Sequence, residues 1–319
     1  MKKKVLITGV TGFAGSFLAE HLLNSSEVEI FGSYLTDDSL INVDSISDKI
    51  NLTKIDLLNS PDVKNFISES SPDLIFHLAG LASPGQSFEN PASYINGNVS
   101  SLLNILEEVR SQKINPKILV VSSAEVYGAT DADHIPTDEN APLMPNNPYA
   151  VSKLAQDFLA LQYFLSYKIP IIRVRPYNHI GPRQSPQFVV AAFAKKIADI
   201  EKGKMEPVLK VGNLTAKRDF TDVRDMVSAY VEILEKGEEG EVYNIGSGKS
   251  YKIEDVLNKL LSFTDTKIEI RQDESLMRPI DVPELLCDNS KMKKTTGWET
   301  KFGIDQTLKE TLEYWRNQK

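Results

Sequence analysis

The chain is predicted to fold as an α/β protein, a doubly wound parallel sheet carrying a smaller C-terminal α/β lobe. Three observations predict it. Short apolar runs of strand character alternate with segments of helical period through the first half. A glycine-rich turn stands directly between the first such strand and the first helix. A length of 319 residues suffices for one large core, or for one core plus a lobe.

Composition excludes several classes. Hydrophobic residues make up 41% and charged residues 25%, ordinary for a soluble globular protein. The net charge of −8 gives no electrostatic reason to expect nucleic acid or an anionic membrane as partner. No apolar stretch approaches membrane-spanning length. Cys287 is the single cysteine, which leaves no internal disulfide and no cysteine-based zinc site. The four histidines are scattered, and no His/Asp/Glu group has ligand spacing, so no metal is implied. Met1 and three lysines lead straight into a strand-like run without a signal-peptide core, which reads as cytoplasmic.

Val5-Leu6-Ile7-Thr8 reads as a short buried strand, and Gly9-Val10-Thr11-Gly12-Phe13-Ala14-Gly15 follows at once. Phe13, Phe17, Leu18, His21 and Leu22 then recur at helical spacing. Strand, turn and helix N-terminus make an anion site from free N–H groups and the helix dipole. The first glycines let the backbone turn and approach a pyrophosphate, and the last lets the helix pack on its strand. The spacing is GxxGxxG rather than GxGxxG. Directly after a first strand it points to a dinucleotide, with Gly9, Thr11, Gly12, Phe13, Ala14 and Gly15 as candidate contacts.

Val28 to Leu35 is the second strand, and the residue that reads the adenosine ribose belongs near its C-terminal end. Ser33, Tyr34, Leu35 and Thr36 stand there, and the first acid is Asp37. An acid at the tip would bind both ribose hydroxyls and repel a 2′-phosphate. Its absence makes Ser33 the candidate contact and leans the reading toward NADP(H) over NAD(H). Ile55-Asp56-Leu57 ends a third strand; Asp56 and Leu57 are candidate adenine contacts, a solvated turn aspartate being the competing reading. Leu74 to Gly80 is a fourth strand running into a small-residue loop, with Leu78, Ala79 and Gly80 facing the cofactor and His77 structural. Asn98 opens a helical stretch, 98–111. Lys117 to Ser123 is a fifth strand ending in the hydroxyls of Ser122 and Ser123. Strand tips at the carboxyl edge of such a sheet are where ligands bind.

Asn147-Pro148-Tyr149-Ala150-Val151-Ser152-Lys153 then opens a helix. Asn147 is a good N-cap and Pro148 suits the first helical position. Leu154, Phe158, Leu161 and Leu165 follow at helical spacing. Tyr149 and Lys153 stand four apart on one face. An ammonium beside a phenol lowers the phenol's pKa and makes it a usable acid/base. An isolated pair of this kind is ordinarily a solvated one. The position of the fifth strand's tip predicts that Ser123, Tyr149 and Lys153 share one crevice.

The glycine turn, Ser123, and Tyr149 with Lys153 resemble the extended short-chain dehydrogenase/reductases, in the branch that works on nucleotide sugars. The resemblance spans essentially the whole chain. It implies a Rossmann domain over 1–175 plus 221–245 and a nucleotide-sugar lobe over 176–220 plus 246–319. It implies that Ser123 binds the substrate oxygen, that Tyr149 is the acid/base, and that Lys153 holds the nicotinamide ribose; Asn98 and Ser122 join the cofactor contacts. The runs Arg175-Pro176-Tyr177-Asn178-His179-Ile180-Gly181-Pro182, Asp219-Phe220-Thr221-Asp222-Val223-Arg224-Asp225 and Arg278-Pro279-Ile280-Asp281-Val282-Pro283 are most similar to the GDP-sugar members. These dehydrate GDP-mannose or reduce the resulting 4-keto sugar. The implied activity is reduction of GDP-4-dehydro-6-deoxy-D-mannose to GDP-D-rhamnose.

Glu125 opens the alternative. Dehydratases place a glutamate two residues after the serine or threonine to move a proton on the sugar, and this chain has one there. A ketone reduction needs no second acid/base, so Glu125 also reads as a loop anchor. A non-catalytic dinucleotide sensor is a further alternative, but such proteins tend to lose the tyrosine or lysine. On the sugar side, Asn178, Val189, Lys195, Arg218 and Arg278 are candidate substrate contacts, because a diphosphate favours forked guanidinium donors. Arg218 beside Asp219 also reads as an internal ion pair, and Lys195-Lys196 as a solvated face. Glu241 to Gly246 reads as a strand leaving the Rossmann core. The resemblance also implies a homodimer through helices near 98–111 and 148–165, with Leu159 and Tyr163 among the outer positions.

Overall fold

The computed structural model describes residues 2–277 and 282–318. The main sheet contains β1 (Lys3–Thr8), β2 (Val28–Tyr34), β3 (Asn51–Lys54), β4 (Leu74–His77), β5 (Lys117–Val121), β6 (Ile171–Pro176) and the strand Val242–Ile245. Their runs of Val, Ile and Leu suit strands covered on both faces. The order across the sheet is Val242–Ile245, β6, β5, β4, β1, β2, β3, and every pairing is parallel. The chain therefore steps outward from β1 to β3 and returns to β4 on the other side of β1. That reversal opens a crevice at the carboxyl ends of β1 and β4. Val242–Ile245 does not leave the sheet: it is its edge strand, beside β6.

The helices are α1 (Phe13–Ser25), α2 (Ser60–Ser70), the single turn α3 (Pro84–Ser87), α4 (Pro91–Ser111), α5 (Pro148–Tyr167), α6 (Val189–Glu201), α7 (Val223–Lys236), α8 (Ile253–Leu261), α9 (Ser290–Thr296) and α10 (Ile304–Asn317). Leu18 of α1 and Val227, Tyr230 and Ile233 of α7 share one apolar cluster with residues of the sheet. Ile67 of α2, Leu102 and Ile105 of α4 and Ala160 of α5 share another, again with sheet residues. The two clusters are the two layers of a doubly wound fold. A third joins α6, α8 and α10 with Leu209 and Val211. A small sheet of Asn178–Ile180, Lys217–Asp222, Ser250–Lys252 and Glu284–Leu285 lies on the lobe side. Among the described residues, no helix is long and apolar enough to cross a membrane.

Two elements depart from expectation. The helix expected over 98–111 begins at Pro91, because Asn90 caps it by accepting from the Ser93 N–H. Asn98 is therefore inside the helix rather than at its start. More consequentially, the outward-facing apolar positions of α5 are not the ones expected. Phe158 and Leu165 of its apolar stripe are 49% and 56% exposed, while Tyr149, Ser152, Lys153, Gln156 and Asp157 are buried. Leu159 and Tyr163 do not face outward either. Leu159 packs against the core and Tyr163 is buried with its hydroxyl on Glu107.

Candidate active site

Gly9 has φ +69°, a left-handed conformation that favours glycine. A Cβ on Gly15 would stand 2.2 Å from the Gly9 carbonyl oxygen, so α1 can lie this close to the turn only with glycine there. Segment 39–42 braces the turn. The Thr11 and Ser39 hydroxyls are 2.6 Å apart, and Asn42 Nδ2 donates to the Thr11 carbonyl. No side chain among the described residues caps the start of α1 at Gly12, so Phe13, Ala14 and Gly15 present a helix N-terminus to the crevice. This cradle fits the pyrophosphate of a dinucleotide. Ser33 closes it from β2, its Oγ accepting from the Gly9 N–H at 3.4 Å. Asp56 accepts from the Leu58 N–H within its own turn, and Leu57 is buried. Phe13 stacks on His179 with ring centroids 5.6 Å apart and planes 7° apart. This contact brings the Asn178–Gly181 segment against the glycine turn.

At the next strand tips, Thr8 Oγ1 accepts from the N–H groups of Leu78 and Ala79 and lies 3.0 Å from His77 Nδ1. Asn98 pins the following loop, accepting from the Leu81 N–H and donating back to the Leu81 carbonyl. A Cβ on Gly80 would sit 2.8 Å from Asn98 Oδ1 and 3.8 Å from Lys153 Nζ. The backbone at Gly80 thus passes beside the Lys153 ammonium.

Ser122 and Ser123 end β5. Ser122 Oγ donates to the Lys153 carbonyl, which ties the strand tip to α5. Asn147 caps α5, its Oδ1 accepting from the Ala150 N–H at 2.8 Å. The same amide donates through Nδ2 to Glu125 Oε2 at 3.1 Å. The Ser123 hydroxyl accepts from the Glu125 N–H and lies near enough to the Tyr149 phenol to lower its pKa. The edge of Tyr94 lies against the Tyr149 ring, with centroids 6.3 Å apart. A serine, a tyrosine and a lysine therefore converge where β5 meets α5.

The electrostatics differ from the expectation in one respect. Burial raises the Tyr149 phenol well above its ordinary range; the nearby Ser123 hydroxyl opposes this, and the Glu125 charge adds to it. Lys153 is not what tunes the phenol here. Its ammonium donates to the Val121 carbonyl and to Gln156 Oε1, each at 2.9 Å. Burial also pushes the Lys153 ammonium down to about 8 and His77 down to about 3.

The sugar-side candidates divide. Asn178 and Val189 are half-buried at the starts of their strand and helix. Arg218 is buried, with Nη1 donating to the carbonyls of Lys217 and Val282. Its neighbour Asp219 accepts instead from Ser247, Gly248 and Cys287. Lys195 is bonded to Asp199 and lies over the Trp315 ring, an engagement with its own helix and with α10. Arg278 lies outside the described residues. Sequence reasoning did not single out Gln156, Tyr94 or His179, because only the fold brings them to this site.

A family model for GDP-mannose 4,6 dehydratase matches residues 6–311. The chain is 33% identical to GDP-6-deoxy-D-mannose reductase of Pseudomonas aeruginosa, over 99% of this chain and 98% of that protein. It is 29% identical to dTDP-glucose 4,6-dehydratase of Escherichia coli, over 99% of this chain and 94% of that protein. The structure of RMD from Pseudomonas aeruginosa complexed with NADPH matches with a TM-score of 0.85 at 31% identity, covering 98% of this chain and 99% of that one. UDP-glucose 4-epimerase from Thermotoga maritima with UDP-glucose matches with a TM-score of 0.87 at 26% identity, covering 98% of each. The chain belongs to the GDP-mannose 4,6 dehydratase family, pyridine-nucleotide-dependent enzymes that act on nucleotide sugars.

Proposed function

We propose that the protein is an NADPH-dependent reductase that converts the C4 ketone of GDP-4-dehydro-6-deoxy-D-mannose to the hydroxyl of GDP-D-rhamnose. The observation that carries this reading is the Ser123–Tyr149 pair, set in a family whose member at 33% identity is a GDP-6-deoxy-D-mannose reductase. When bound, the nicotinamide supplies a hydride to C4. Negative charge then builds on O4, where Ser123 donates a hydrogen bond and Tyr149 delivers its proton. A phenol whose pKa is raised by burial keeps that proton at neutral pH, which suits protonation of a forming alkoxide. Lys153 supplies a positive charge under the cofactor side of the crevice. The glycine turn, Ser33 and the 78–80 loop hold the dinucleotide, and Arg218 and Arg278 take the diphosphate.

The dehydratase reading rests on Glu125. That carboxylate is engaged by the amide that caps α5, which supports an anchoring role over proton transfer on the sugar. The β2 tip supports NADPH over NADH: Ser33 stands there, and the carboxylate of Asp37 is turned to Lys54 at 2.7 Å. The exposed apolar side chains of α4 and α5, Leu103, Val151, Phe158 and Leu165, support a homodimer paired through those helices.

Two assays test the reading. GDP-mannose with oxidised cofactor should yield no 4-keto sugar, and kcat/KM should be higher with NADPH than with NADH. Dehydration of GDP-mannose without net cofactor change, lost in Glu125→Gln, would establish the dehydratase instead.

A further inference from the structure

Behind Lys153 lies a closed set of polar side chains to which the reaction as described gives no role. Gln156 is one turn further along α5 and fully buried, as are His77 and Asn98. Its Oε1 accepts from Lys153 Nζ at 2.9 Å, and its Nε2 donates to the Asn98 carbonyl at 2.7 Å. Nε2 also lies 3.2 Å from His77 Nε2. Reversing the amide would set NH2 against an ammonium and oxygen against a carbonyl, so its orientation is determined by its neighbours. His77 Nδ1 in turn lies 3.0 Å from the hydroxyl of Thr8, which accepts from the Leu78 and Ala79 N–H groups.

We propose that Gln156 is a positioning residue for Lys153, its amide fixed from behind by the Asn98 carbonyl so that its oxygen meets the ammonium. A neutral acceptor holds the ammonium in place without cancelling its charge, as a carboxylate would. The downward shift of Lys153 to about 8 agrees with this, since an ion-pair partner would oppose it. The groups around Lys153 are the Val121 carbonyl from β5, His77 from β4, the Gly80 backbone of the following loop and Gln156 from its own helix. The carboxylate nearest in sequence, Asp157, is bonded to Arg173 and Arg175. The consequence for turnover rests on the proposed reduction; the side-chain assignment does not.

The test begins with the wild-type protein free of substrate. The Lys153 amine, labelled with nitrogen-15 and assigned with Lys153→Arg, should titrate in opposite directions in two variants at one position. Gln156→Met, which removes the acceptor, should lower its pKa by about one unit, and Gln156→Glu should raise it by at least one. If one variant does not fold, the sign of the other decides. An unmoved titration would mean that Gln156 only fills space, and would overturn the proposal. In turnover, Gln156→Met should lower kcat about 10-fold while the sugar KM stays within about 2-fold. Should the protein reduce no GDP-sugar, the amine titrations still decide the positioning role.

Discussion

The two faces of α5 make an instructive contrast. The inner face carries Tyr149, Ser152, Lys153, Gln156 and Asp157, and all are buried. The outer face carries Val151, Phe158 and Leu165, and all are exposed. An ordinary surface helix has the reverse arrangement. Here the buried polar groups satisfy one another. Ser152 bonds the Tyr149 carbonyl and receives Asn98, Lys153 is held by Val121 and Gln156, and Asp157 holds two arginines. A helix that gives most of its core face to polar groups leaves some of its apolar residues on the outside, here Val151, Phe158 and Leu165.

The contrast can be broken first from the inside. Tyr149→Phe keeps the ring and its packing against Tyr94 but removes the proton donor, so turnover should fall by about 100-fold or more with cofactor affinity kept. Near-normal turnover measured by NADPH absorbance would remove Tyr149 from the mechanism.

The charge on the inner face should be visible in stability. Lys153 has a folded pKa near 8 against an ordinary 10.5. Below pH 8 both folded and unfolded chains bind the proton, and the folded state bears the full cost of the buried charge. Between about pH 8 and 10.5 the folded lysine loses its proton first, so the unfolded chain binds more protons and stability rises with pH. Relative to Lys153→Met, the wild type should therefore gain about 2–3 kcal/mol between pH 7 and pH 10. Urea titrations of both proteins at the two pH values measure this, and a constant difference would contradict it.

On the outer face, Phe158→Glu should convert a dimer into a monomer in light scattering at micromolar concentration, with the melting temperature little changed. A wild type that is already monomeric would show that the apolar stripe has another explanation. The smallest effect belongs to Glu125→Gln. The new side-chain oxygen can still accept from Asn147, so the reductase rate should fall less than about 3-fold.

The same helix shows what was legible beforehand. The Asn147 cap, Pro148 and the spacing of Tyr149 and Lys153 are local, and the chain alone reveals them. So does the glycine turn, whose chemistry depends on backbone close to it in sequence. Periodicity located the stripe of Leu154, Phe158 and Leu165 but not which way it faces, because period reports a face and not its neighbour. Gln156 was invisible for a related reason: its partners His77 and Asn98 come from β4 and α4, 79 and 58 residues away. The expected lowering of the Tyr149 pKa by Lys153 failed because spacing says nothing of burial, which dominates at that phenol. Arg278, named from its motif, lies among the residues whose structure is not described.

The most direct measurement of the central claim is the fate of the substrate itself. The purified protein is given GDP-4-dehydro-6-deoxy-D-mannose and NADPH, and the products are followed by proton NMR alongside cofactor absorbance. The account predicts one NADPH oxidised per sugar reduced, with a single new C4–H signal of the D-rhamno configuration. Unchanged NADPH with the 4-keto sugar intact would contradict it.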